Sequence, residues 1–434
     1  MKVKKASKLL AYLSVLTGGL LLLSGFAAAG GYLGLRLVQF FGAGLLVDEL
    51  GATAAAFLGL VGGVLAVVHG FGSILNRRSR PLKLPPFYLF WIAFALVLGV
   101  GNVVLLTGVS QEFLFPPLFL LGALLPTAAV LAWSFRALGW PVTWRQGALM
   151  FVAGSTLSIL VTILLDSFLP YVFILLVEPI GYLTEEFLHV FYSGGPEFFE
   201  RLFFSPLLIF YLLYIAFQAP FPEEFAKALG PRLMGVRITN ERQAFAVGLA
   251  SGAGFAILEN MLYQGIYANW AGWTWGGITA LRGIGAVNHS LWTAIIALAL
   301  YRERERKPGW FGRLGRAYLI SVGLHTLWNG GYLALLYLMG MEQYAEVGAT
   351  LPIYGEYVEI SLIVILLALS LGMWWLLRKF VHQIARGVEA ELTPELISRR
   401  VLASWAFACV LVIVPLGAAL GKAWGQIRAV FLGG

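Results

Sequence analysis

Residues 218–235 read QAPFPEEFAKALGPRLMG, and here an apolar run that begins near residue 203 passes straight into two adjacent glutamates and then a lysine. Such a pair either closes an ordinary helix at a membrane surface or carries chemistry inside the membrane. On a helix Glu223 and Lys227 are one turn apart and share a face, while Glu224 points about 100° away. Taken alone, that spacing is satisfied by an ion pair at a helix end. What decides between the two readings is the company these residues keep.

The chain has 434 residues, of which 59% are hydrophobic and 12% charged, where a soluble domain carries about 25% charged residues. Apolar runs of the ~20 residues needed to cross a ~30 Å hydrocarbon core recur along its whole length. The expected fold is therefore all-α, a polytopic membrane helix bundle. About eleven transmembrane helices are expected, at 9–29, 53–75, 87–106, 114–135, 148–165, 203–221, 244–265, 278–300, 317–339, 357–377 and 401–420. The first follows a basic start and reads as an uncleaved signal anchor.

The connecting loops alternate in charge. Those reading NRRSRPLK, RALGWPVTWR, KALGPRLMGVRITNER, YRERERKPGWFGRLGR and RKFVHQIARGVEAELTPELISRR are basic, like the N-terminus MKVKKASK. The loops between them are acidic or uncharged. Cytoplasmic loops carry the excess of Lys and Arg, so the chain is expected in the cell membrane, multi-pass, with a cytoplasmic N-terminus. The outside stretch 166–200 holds a further apolar run, LPYVFILLVEPIGYL, read as a re-entrant or interfacial helix. The net charge of +8 follows from these loops, and no nucleic-acid partner is expected. The single cysteine, Cys409, excludes a disulfide framework and a cysteine metal site.

Ionisable groups inside membrane segments are costly and usually face a bundle interior or a water-filled cavity. They cluster between residues 221 and 329. Glu259 and Asn260 stand about fifteen residues into their helix, ~22 Å deep and beyond snorkelling reach. His289 is expected near the middle of the following span. His325 and Asn329 are four apart on the next and face the same way. Each has an ordinary packing explanation by itself; four sets on four consecutive segments form a candidate site. Glu185 and His189, one turn apart in the outside stretch, are read as interfacial, and His69 and His382 as structural.

Two carboxylates and two imidazoles in a water-accessible cleft are the parts needed to hydrolyse an amide. One carboxylate takes a proton from the attacking water, and a His or Asn stabilises the oxyanion. No Gly-x-Ser-x-Gly elbow supports a serine route. Glu223, Glu259, His289 and His325 are also enough for a three-ligand zinc site with an open water position. Because no His-Glu-x-x-His run places two ligands on one helix, a metal-free glutamate mechanism is preferred and Zn2+ is kept as the alternative. An ion- or proton-coupled transporter and a non-catalytic membrane scaffold are the competing functions.

The ordered motifs Glu-Glu-x-x-Lys (Glu223, Glu224, Lys227), Phe-x-x-x-Glu-Asn (Phe255, Glu259, Asn260), His289, and His-x-x-Trp-Asn (His325, Trp328, Asn329) resemble the PrsW family of intramembrane proteases. That family is related to the CAAX-prenyl endopeptidase and bacteriocin-processing superfamily. The resemblance spans residues 222–330, about a quarter of the chain. It implies an intramembrane endopeptidase acting on membrane-anchored protein substrates in the lipid bilayer. Glu223 would be the water-activating base, with Glu224 and Lys227 as supports, and Glu259 would take the second acid–base place. His325 and Asn329 would bind the oxyanion or a metal, His289 has a counterpart in the family, and Asn260 is a further support. The superfamily pattern has Glu-Glu-x-x-x-Arg and Phe-x-x-x-His; here Lys227 comes one position earlier and Glu259 replaces that histidine. The expected organisation is 1–200, N-terminal membrane helices with the external segment; 201–340, a catalytic four-helix core; and 341–434, C-terminal membrane helices.

Overall fold

A computed structural model describes residues 8–40, 53, 56–108, 111–166, 168, 213–214, 216–233, 238–268, 273–305, 310–345, 354–387 and single positions at 403, 407 and 410. Among these the chain is all-helical and forms no strand. The helices are α1 (Lys8–Phe40), α2 (Gly63–Ile74), α3 (Phe87–Thr107), α4 (Gln111–Ala137), α5 (Trp144–Ala153), α6 (Pro220–Leu233), α7 (Glu241–Ala268), α8 (Trp273–Ile284), α9 (Val287–Glu305), α10 (Trp310–Ala345) and α11 (Tyr354–Ala385). Two π-helical turns, Leu58–Gly62 and Gly154–Ser158, lead into α2 and continue α5.

Seven described segments are long and apolar enough to cross a membrane: Ala11–Leu33, Phe87–Thr107, Phe113–Ala137, Trp144–Asp166, Glu241–Met261, Trp275–Glu303 and Ile360–Ala385. The expected count of about eleven is therefore not reached among the described residues. The run at 53–75 appears as the shorter apolar helix Leu58–Ile74, and 317–339 lies within α10. The expected spans at 203–221 and 401–420 and the interfacial run in 166–200 lie largely or wholly outside the described residues, as do Glu185 and His189.

Helix α7 is the centre of the bundle. In the most apolar 18 residues of Glu241–Met261, 94% are buried, against 22% in those of Ile360–Ala385, so α7 is wrapped by protein and α11 faces the surroundings. Small residues let its neighbours come that close. A side chain at Gly252 would run into the backbone carbonyl of His289 on α9, and one at Gly154 into the carbonyl of Ser251 on α7. The π turn also touches α6, where Ser158 Oγ donates to the Ala226 carbonyl at 3.1 Å. Thus α5, α6 and α9 are all set against α7.

The described basic loops gather at one end. Arg302 makes a two-pronged pair with Glu241 at 2.8 and 2.9 Å, and Tyr301 donates to the Thr239 carbonyl at 3.0 Å. Arg242 reaches the carbonyls of Ala385 and Gly387. Leu82 and Trp144 join the loops before α3 and α5, through the carbonyls of Val142 and Arg80, each at 2.9 Å.

The span expected at 278–300 is not one helix. It breaks between α8 and α9, where Ala286 and Asn288 bond back only three residues, to Gly283 and Gly285, instead of continuing the four-residue ladder. Glycine is a poor helix former, and the Trp328 ring of α10 fills the place where a side chain at Gly285 would stand. The break leaves the Ile284 carbonyl without its helical partner, and Trp374 Nε1 of α11 donates to it at 3.1 Å. His289 accordingly sits in the first turn of α9 rather than near the middle of a helix.

Candidate active site

On α6 the two glutamates diverge as their 100° offset requires, and Lys227, one turn on, reaches both. Its Nζ lies 2.7 Å from Glu224 Oε1 and 3.4 Å from Glu223 Oε2. The same ammonium is 3.0 Å from His289 Nδ1 on α9 and 4.3 Å from the centre of the Phe255 ring on α7. On α10, His325 Nδ1 is 2.9 Å from Glu224 Oε1 and Nε2 is 3.5 Å from Glu223 Oε2. On α7, Glu259 pairs with Arg282 Nη2 of α8 at 3.2 Å, while its other oxygen faces His289 Nε2. The residues picked out from four separate motifs thus converge on one buried cluster.

Hydrogen-bond capacities fix much of the proton arrangement. An ammonium only donates, so His289 Nδ1 accepts from Lys227 and the ring proton stands on Nε2, facing Glu259. Glu224 accepts from Lys227, and His325 Nδ1 donates to the same oxygen. A neutral His325 then turns its bare Nε2 toward Glu223. Two acceptors 3.5 Å apart need a proton or a cation between them, the gap being too short for a water. Glu223 is also the more open of the pair: its side chain is 11% exposed and that of Glu224 is 0%.

Aromatic rings lock the imidazoles. Trp292 stacks on His325 with centroids 4.6 Å apart, and the two histidine rings meet edge to face at 4.9 Å. Asn329 is buried one turn beyond His325. Asn260 is engaged by Arg282, its Oδ1 accepting from Arg282 Nε at 2.8 Å. His69 is buried in α2 and His382 lies in the last turn of α11.

Arg282 is the residue that sequence reading missed. It is 2% exposed, ion-paired to Glu259 and flanked by the rings of Tyr263 and Tyr332 at 4.3 and 5.2 Å. The signal was available, since a lone guanidinium inside an apolar span needs a buried partner as much as a lone carboxylate does.

The ligand atoms of Glu223, His289 and His325 lie within 4.8 Å of one another. Two imidazoles and a carboxylate are the donors of a familiar catalytic zinc type, and the bare Nε2 of His325 is buried without a hydrogen-bond partner. The set fits a metal in kind. Glu259 is not part of it, being engaged by Arg282, and a metal would have to win His289 from Lys227 or from Glu259.

Compared with known families, residues 142–355 match the model described as PrsW family intramembrane metalloprotease. That stretch contains α5 to α10 and every residue of the cluster. No curated protein and no solved structure matches the chain.

Proposed function

Residues 142–355 belong to the PrsW family of intramembrane proteases, and from that membership we propose that this multi-pass membrane protein is an endopeptidase that cleaves membrane-anchored protein substrates with a water activated by Glu223. The observation that carries the reading is the pairing of the less buried carboxylate, Glu223, with a bare imidazole nitrogen of His325 at 3.5 Å, next to a carboxylate and an ammonium that are fully buried.

In this reading a water hydrogen-bonded to Glu223 gives its proton to that carboxylate as it attacks the scissile carbonyl. Lys227 and Glu224 hold Glu223 and His325 in place, and Lys227 also offsets the negative charge gathered there. The proton passes from Glu223 to the bare Nε2 of His325, which, with Asn329 on the same face of α10, donates to the oxyanion and then releases the proton to the leaving amine as the C–N bond breaks. Glu259 takes the second acid–base place through His289, whose Nε2 proton it faces, and Arg282 keeps that carboxylate oriented. Asn260 supports the Arg282 end. Glu223, His289 and His325 are the residues that would hold a zinc ion, which when bound acidifies a water and polarises a carbonyl. The glutamate and histidine roles above require no metal.

Substrates are taken to be single-span or lipid-embedded proteins, because the cluster lies on helices buried within a membrane bundle. The basic end is assigned to the cytoplasm. Ion-coupled transport is not favoured by the family match. The test is to incubate the purified full chain with a panel of single-span proteins and identify products by mass spectrometry. Defined internal cuts that disappear in Glu259→Gln protein are expected, and no cleavage across a broad panel would overturn the reading.

A further inference from the structure

Between α3, α4 and α11, and lined by none of the catalytic residues, a groove of about 450 Å3 is formed by Phe87, Trp91, Trp133, Trp374, Trp375 and Arg378. We propose that this groove binds one anionic phospholipid, an acyl chain lying along the tryptophans and the phosphate on Arg378.

The size falls in the ordinary range of small-ligand sites, about 300–1,000 Å3. The walls are preformed. Trp374 is pinned by its bond to the Ile284 carbonyl, and Trp91 and Trp133 pack on it with ring centroids 6.3 and 6.4 Å away. Trp375 is 63% exposed, and Ile92, Val364 and Leu371 on the same helices are exposed apolar residues, so the groove opens toward lipid rather than into the bundle. An occupant therefore enters from the bilayer.

Charge selects among bilayer molecules. Arg378 stands one turn beyond Trp374, toward the end where the basic loops meet, and Lys379 follows with its ammonium 5.2 Å from the Trp375 ring. A tryptophan cage alone would suit a cationic headgroup. With a guanidinium in the wall it repels one and favours a phosphate, which Arg can hold with two parallel donors. Arg80 and Lys83, in the loop that leads to Phe87, place the groove mouth in the region where anionic headgroups concentrate.

The experiment is native mass spectrometry of the full chain in detergent, titrated with phosphatidylglycerol or with phosphatidylcholine of the same acyl chains. The parent should bind one phosphatidylglycerol with a preference of about fivefold or more, the scale of one basic contact near a membrane surface. Arg378→Ala should abolish that preference, whereas Arg78→Ala, on the exposed loop, should keep it. Glycerol phosphate, which lacks acyl chains, should not compete; competition at equal concentration would make this a free-phosphate site and overturn the proposal. Equal binding of the two lipids by the parent, an unaltered Arg378→Ala protein, or an equal loss in Arg78→Ala would overturn it too. The readout involves no proteolysis, so its failure leaves the protease reading untouched.

Discussion

Lys227 Nζ lies 2.7 Å from Glu224 Oε1, and neither side chain is exposed. An ion pair this deep is costly to form and costlier to break, because removing one partner leaves the other charge buried without compensation. Here one ammonium answers to two carboxylates and an imidazole, so the cluster stands or falls as a unit.

Lys227→Met should therefore lower stability by about 3–5 kcal/mol, the range for breaking a buried pair. The double variant Glu224→Gln, Lys227→Met should lose less than the two single variants added together. Thermal unfolding in detergent measures all three, and strict additivity would show that the two groups do not depend on one another.

Arg282→Met leaves Glu259 beside His289 with no fixed cation, whereas Arg282→Lys keeps the charge and loses the forked geometry that serves Glu259 and Asn260 together. Met is expected to destabilise the protein by a few kcal/mol, and Lys to retain most of the stability while lowering turnover. A Lys variant with parental turnover would remove Arg282 from any positioning role.

Much of the site could be read from the sequence because intramembrane charge is rare. Glu223, Glu224, Lys227, Glu259, His289 and His325 stood out against apolar surroundings, and the structure brings them together. What spacing could not show is which partner each would choose. Periodicity places a residue on a helix face, but Lys227 reaches His289 across 62 positions of sequence only because Gly252 lets α7 and α9 close up. The break at Gly285 was hidden for a related reason: the run 278–300 is apolar enough to span despite Arg282, Asn288 and His289, and hydropathy does not register a Trp328 ring occupying the space of a side chain. The motifs that resemble the family all lie within 142–355, and they do not explain the rest of the chain.

Orientation rests on loop charge, and the structure adds that the ends of α9 and α11 meet the start of α7. Reporter fusions at Arg306 should read cytoplasmic and fusions at Trp273 external. The reverse at both would turn the catalytic region over in the membrane.

Because Lys227 already supplies a positive charge 3.0 Å from His289 and 3.4 Å from Glu223, proteolysis should persist after chelator treatment. Elemental analysis of protein purified without chelator, joined to the same assay, checks it. Stoichiometric zinc, with activity lost on chelation and restored by zinc, would contradict this and make Glu223, His289 and His325 ligands.

The most direct test of the central claim compares cleavage of a single-span substrate by the parent and by Glu223→Gln, which keeps the shape of the side chain and removes its basicity. With thermal unfolding unchanged, turnover should fall by about 100-fold or more, the scale for losing a general base. A folded Glu223→Gln protein that cleaves at close to the parental rate would contradict the account.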